Sequence, residues 1–169
     1  YKKKLADLAS KGATIASSDA VTAEFRGLQA DAAARRGFDI GLGAAEGQTA
    51  PGPGKQKIRG ALVSAEQGAY DVAVTFSIDR NKNADAAKRG ASIAKADPIV
   101  ATLRNGQTDA LYRLGFDIAT GIFGDPAKGA FGNTSKGPGS LGIRDSLSDA
   151  GQRGFDAAAN FHLGRDYTP

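Results

Sequence analysis

The chain spells Gly37-Phe38-Asp39-Ile40 and spells it again at Gly115-Phe116-Asp117-Ile118, a shift of 78 residues. The same shift carries Ala6-Asp7 onto Ala84-Asp85, Gly12-Ala13 onto Gly90-Ala91, Asp19 onto Asp97, Arg26 onto Arg104 and Asp31-Ala32 onto Asp109-Ala110. Farther along the shift is 85, so that Gly52-Pro53-Gly54 meets Gly137-Pro138-Gly139 and Ile58-Arg59 meets Ile143-Arg144. Leu62, Gln67, Asp71, Phe76 and Arg80 then meet Leu147, Gln152, Asp156, Phe161 and Arg165. Roughly half of the paired positions are identical, and ordered matches at that level point to an internal duplication. The expected organisation is repeat 1 over residues 1–81 and repeat 2 over residues 82–169. The second copy gains seven residues between Ile122 and Gly137, in the Gly-rich stretch after Gly124-Asp125-Pro126, where a loop absorbs them at little cost.

Two copies should share one fold, so each local signal is read twice. Lys2 to Ala16 reads as a polar helix with a narrow apolar stripe through Leu5, Leu8 or Ala9, and Ile15. Gly12 weakens that helix, and Gly90 weakens its counterpart. Asp97-Pro98 sets a capping carboxylate before a proline at the first helical position, and Asp19 takes the same role in the first copy. Val21, Phe25 and Leu28, like Ile99, Val100 and Leu103, are expected to form the buried face of this second helix, which stops at Gly27 or at Asn105-Gly106. The third helix carries the repeated word, with Leu111, Leu114, Ile118 and Ile122 at helical spacing in the second copy. A Gly/Pro-rich loop and a short helix follow, with Ile58 and Leu62 or Ile143 and Leu147 one turn apart.

The last segment carries competing signals. Val72, Val74, Phe76 and Ile78 alternate as a strand would, but the matching Ala157, Ala158 and Ala159 favour helix. Ser64, with Gln67 three residues on, has the form of a capping box. Helix is the consistent reading for both copies. The expected fold is therefore all-α: a tandem duplication of a unit of four to five short helices. The two copies are expected to pack around a shared core of Ala, Phe, Ile and Leu, joined by Gly/Pro-rich loops. With 23 glycines and only 7% aromatic residues, that core must be thin.

Charge and composition narrow the function classes. The net charge of +4 comes from 22 basic and 18 acidic residues, interspersed apart from Lys2-Lys3-Lys4, and this weak excess does not point to nucleic acid. No apolar run approaches the roughly 20 residues needed to span a bilayer. Cysteine is absent, which removes disulfides, thiolate nucleophiles and zinc-thiolate sites. A chain that starts at Tyr1 and holds no methionine is expected to have lost an N-terminal segment. A removed signal peptide would make the protein secreted or extracytoplasmic.

Four constellations could carry chemistry. Asp31, Arg35 and Asp39, with Asp109, Arg113 and Asp117, lie four apart and form an acid–base ladder on one helix face. In a sharper form, Asp39 and Asp117 turn inward and accept hydrogen bonds from Arg59 and Arg144 or from loop amides, because a buried carboxylate must be paired. The Gly-Pro-Gly loops could hold an anion, but the phosphate-loop pattern fails and a tight turn explains them better. Asp79 to Asp85 begins like a calcium loop, yet Ala84 stands where glycine is required and Gly90 where a bidentate glutamate is required. His162, the single histidine, has Ser77 at its matching place and no nucleophile elbow, which leaves it structural.

These features lead to a non-enzymatic structural or interaction module that assembles with copies of itself or with a larger complex. No cofactor, metal, nucleic acid or membrane span is expected. The alternative is a small-ligand or anion-binding protein with a site between the repeats, built from Asp39, Arg59, Asp117 and Arg144. No catalytic residue is assigned.

Overall fold

The computed structural model describes residues 1–50, 54–107, 109–124 and 138–165. The described residues are helical throughout, with turns between and no strand among them. Chain contacts divide the protein into two units, Tyr1–Lys82 and Asn83–Pro169. The first holds α1 (Lys2–Ser18), α2 (Ala20–Gly27), α3 (Ala32–Ala44), α4 (Gly54–Gly60) and α5 (Ser64–Lys82). The second holds α6 (Ala84–Ala96), α7 (Pro98–Asn105), α8 (Ala110–Phe123), α9 (Pro138–Asp145) and α10 (Asp149–Gly164). Most of the expected insertion, and most of both Gly-Pro-Gly loops, lies outside the described residues. No described helix is long and apolar enough to cross a membrane.

Capping carboxylates start the helices where the sequence places them. Asp19 Oδ1 accepts from the amides of Val21 at 3.0 Å and Thr22 at 3.4 Å, and Asp97 Oδ1 accepts from Ile99 and Val100 at the same two distances. These bonds satisfy amides that would otherwise be left without an intrahelical acceptor. The alternating segment Val72–Ile78 lies inside α5, so the helical reading of the last segment holds. The capping box is shifted by one residue from expectation. Glu66 Oε1, not Gln67, reaches back to the Val63 amide at 3.1 Å, and Gln67 Nε2 instead donates to the carbonyls of Arg59 and Leu62. In the second unit Ser148, 85 residues after Val63, caps α10 through the Gly151 amide.

Each unit is built around its third helix. In the first, α3 packs against both α1 and α5; in the second, α8 packs against both α6 and α10. Phe25, Phe38 and Phe76 fill the first core, with Phe25 edge-on to Phe76 at 4.8 Å. A second cluster of Leu5, Ile40, Ile58, Leu62 and Tyr70 closes the other side of α3. The second unit buries Leu114, Ile118, Phe123 and Phe155, the two phenylalanines meeting edge-on at 6.1 Å. One expectation for α7 fails. Val100 is fully buried, but Ile99 is 56% and Leu103 40% exposed, because Val100 and Arg104, one turn apart, take the inward face.

Gly12 and Gly90 do more than weaken their helices. A Cβ on Gly12 would lie 1.8 Å from the carbonyl oxygen of Asp39, and one on Gly90 would lie 1.8 Å from that of Asp117. On the opposite side of the hub helix, Gly37 is as close to the Glu66 carbonyl and Gly115 to that of Gly151, at 2.1 and 1.9 Å. No side chain fits in such gaps, so only glycine lets these backbones touch. Gly12→Ala or Gly90→Ala is therefore expected to cost about 3 kcal/mol or more through overpacking. Gly68→Ala, exposed on α5 with nothing within 4 Å of its added Cβ, should instead stabilise by about 1 kcal/mol through helix propensity. Urea denaturation followed by circular dichroism distinguishes the two outcomes.

Candidate functional site

The repeated aspartate of the Gly-Phe-Asp-Ile word is the most buried ionisable position in both units. Asp117 is fully buried and Asp39 is 5% exposed. Helical spacing explains this: the residue's carbonyl packs on the neighbouring helix at Gly12 or Gly90, so its side chain leaves the same crowded face. A carboxylate in that position needs a cation with good geometry. Arg26 supplies it from the last turn of α2, donating Nε to Asp39 Oδ1 at 2.8 Å and Nη2 to Oδ2 at 3.0 Å. Arg104 does the same from α7, with Nε to Asp117 Oδ1 at 2.6 Å and Nη2 to Oδ2 at 2.8 Å. Both are two-pronged forks, the strongest arrangement open to this pair of side chains. The hydrogen bond to Asp39 raises the Arg26 pKa; burial opposes the rise and the Asp39 charge adds to it.

This geometry corrects the expected pairing. Asp39 and Asp117 do turn inward, but Arg59 and Arg144 are not their partners. Arg59 Nε donates to Asp71 Oδ1 at 2.8 Å and to Oδ2 at 3.1 Å, on an exposed face of α4 and α5. Arg144 donates Nε and Nη2 to the two oxygens of Asp156 at 2.8 and 2.9 Å, and Nη1 to Asp145 at 3.0 Å. Hydrogen bonds to these carboxylates raise both guanidinium pKa values. Arg59 sits a helix and a loop away from α3, whereas α2 ends beside it; the shorter connection wins. The sequence held the true partners in view, since Arg26 and Arg104, like Asp71 and Asp156, are matched letters of the repeat.

The surface ladder does not form either. Asp31 and Asp109 are N-caps, accepting from the amides of Ala34 at 2.8 Å and Leu111 at 2.9 Å. Arg113 reaches back to the loop before α8, donating to the carbonyls of Gln107 and, at 3.1 Å, Asn105. A second layer of ion pairs ties the last helix of each unit to the cap of its second helix. Arg80 is in charge contact with Asp19, and Arg165 Nη1 donates to Asp97 Oδ2 at 2.5 Å. Burial alone would raise the Asp97 pKa. The Arg165 hydrogen bond and the amides of Val100 and Ile99 outweigh it, and the net shift is downward.

His162 lies on α10, buried, with Nε2 3.0 Å from the hydroxyl of fully buried Thr120. Burial, helped by the Arg165 charge and opposed by Asp97, lowers its pKa to about 4. It is a neutral packing residue at ordinary pH. The stretch from Asp79 that began like a calcium loop runs through the end of α5 and the start of α6. Among the described residues no group of three or more His, Cys, Asp or Glu side chains is placed to hold a metal. What these clusters do chemically is lock helices: each carboxylate is held by a guanidinium or by helix amides.

Two predictions follow from the burial of these groups. Asp117→Asn leaves Arg104 charged and enclosed, and is expected to cost about 3–5 kcal/mol. Asp39→Asn should cost less, because the Arg26 side chain is 38% exposed and can turn to water. Asp71→Asn, on the open surface, should change the denaturation midpoint little. For His162, the unfolded chain takes up a proton near pH 6.5 while the folded protein resists until about pH 4. Stability should fall on the order of 2 kcal/mol as pH drops from 6.5 to 4, with no further loss from this group below that. His162→Gln should remove that part of the pH dependence, read as the difference between the two proteins' urea midpoints across the window.

No protein-family model, curated protein or solved structure matches this chain, so its functional reading rests on its own residues and geometry.

Proposed function

We propose that the chain is a tandem duplication of one five-helix unit and that it works as a non-enzymatic structural module, assembling with copies of itself or within a larger complex. The observation that carries this reading is where the shared ionisable residues go. Arg26–Asp39 and Arg104–Asp117, Arg59–Asp71 and Arg144–Asp156, and Arg80–Asp19 and Arg165–Asp97 all join elements inside one unit. Each pair has its counterpart at the sequence shift of 78 or 85. The glycine contacts repeat in the same way, Gly12 on Asp39 and Gly90 on Asp117. Charges held like this stiffen a scaffold and leave no poised acid, base or nucleophile. The exposed Ile99 and Leu103, one turn apart on α7, add an apolar surface suited to contact with another protein.

The alternative, a ligand or anion between the repeats on Asp39, Arg59, Asp117 and Arg144, has less support. All four side chains are engaged within their own units. Size-exclusion chromatography with light scattering tests the proposal on the full chain. A mass above that of one chain, reduced by Ile99→Asp with Leu103→Asp, is the expected result. A strict monomer at high concentration, with no partner co-purifying, would remove the reading.

A further inference from the structure

The first unit contains a cavity of about 160 Å³ that neither the ion pairs nor the core packing explains. Its apolar wall is Ile15 of α1, Leu42 of α3 and Phe76 of α5, and Thr22 and Ser77 bring hydroxyl-bearing side chains to it. Arg80 also lines it, and its Nε and Nη2 are buried with no hydrogen-bond acceptor. The Asp19 carboxylate touches Nη2, but Asp19 Oδ1 is committed to the amides of α2, and the contact balances charge without an aligned hydrogen bond. A buried guanidinium donor without an acceptor is uncommon, and it signals a missing partner such as a water or a ligand.

The second unit closes the corresponding place. His162, 85 residues after Ser77, reaches Thr120, 78 residues after Leu42, with Nε2 at 3.0 Å. Its ring crowds the backbone so closely that a Cβ on Gly124 would lie 2.9 Å from Cε1. Arg165, the counterpart of Arg80, has its acceptor in Asp97 Oδ2 at 2.5 Å. The serine at position 77 is what leaves the first unit open.

We propose that this cavity is a binding site for a small, uncharged, largely apolar molecule that carries one hydrogen-bond-accepting oxygen for Arg80. Volume sets the size, since about 150 Å³ accommodates a molecule as large as benzene. Charge sets the class. Arg80 is balanced by Asp19, and Glu46 at the edge is balanced by Lys11 with Nζ 2.7 Å from Oε2. An anion would add an unbalanced charge to a neutral wall, which is costly where water is excluded. An acceptor oxygen on an apolar body meets the guanidinium and fills the space beside Leu42 and Phe76. The site lies within one unit and is independent of whether the protein assembles.

The test is a titration of the full chain with cyclohexanone, and in parallel with pentanoate, followed by amide shifts in a ¹H–¹⁵N spectrum. Saturable shifts with cyclohexanone, centred on residues 76–81 and weaker or absent with pentanoate, are expected. The pair Ser77→His with Leu42→Thr copies the filled arrangement and should weaken binding by about tenfold or more. Ser77→Val, a smaller change that keeps the helix, should weaken it in the same direction. Tighter binding of pentanoate would overturn the charge assignment. Shifts that never saturate, or that survive both variants, would show that the cavity holds only water.

Discussion

The structure depends on one residue doing two incompatible-looking things at once. Asp39, and Asp117 after it, presents its backbone carbonyl to a glycine on the preceding long helix and its carboxylate to an arginine on the short helix between. The backbone contact requires the helices to approach closely, which excludes water and gains dispersion along the whole line of contact. Excluding water is also what makes an isolated carboxylate intolerable there. The arginine therefore follows from the glycine: once the helices close, the aspartate needs a fork of donors, and α2 or α7 ends where it can supply one. Three helices are fixed relative to one another by the surroundings of a single residue.

From there the constraint spreads to the other side of the hub. Gly37 meets the carbonyl of Glu66, whose side chain holds both the Val63 amide that starts α5 and Arg36 of α3, the latter at 2.5 Å. The same carboxylate thus caps one helix and ties it to another. In the second unit Gly151 stands at the place of Glu66, Gly115 packs on its carbonyl, and Ser148 takes over the cap. The backbone contact is kept while the side-chain chemistry around it changes, and this suggests that the close approach is the stricter of the two requirements. Small side chains at helix crossings compensate for the shortage of large ones in this sequence, because area is gained from backbone instead of bulk.

Much of this was legible before any coordinates. Asp19, Asp97-Pro98, Asp31 and Asp109 read as helix starts because a cap is a local event, decided within three residues. The helical reading of the last segment came from comparing the alternating Val72–Ile78 with its alanine-rich counterpart, a comparison only a repeat makes available. Two things were not legible. Gly12 and Gly90 read as local weaknesses, since propensity counts what glycine lacks and not what its absence of a Cβ admits from across the interface. The partners of Asp39 and Asp117 were misassigned for the same reason. Helical periodicity says that Arg35 shares a face with Asp39, but not that Arg26, 13 residues earlier, returns to meet it. Ile99 and Leu103 were expected inside for want of one fact, that Arg104 takes the inward position.

In the duplication we propose, the differences between the units are as informative as the matches. The close glycine contacts and the buried forks agree position by position. What differs lies a shell farther out: Phe25 is buried where Leu103 is exposed, and Ser77 leaves a space where His162 fills one. A contact that determines the spacing of two backbones cannot change alone, because each compensating change would have to come from the other helix at the same moment. A side chain at the margin can change alone, at the cost of a small void or an exposed methyl group. Divergence is therefore steered to the rim of each unit, where Ile99 and Leu103 face outward and where Arg80 borders a cavity. New surfaces and new pockets can arise there without disturbing the helices that carry them.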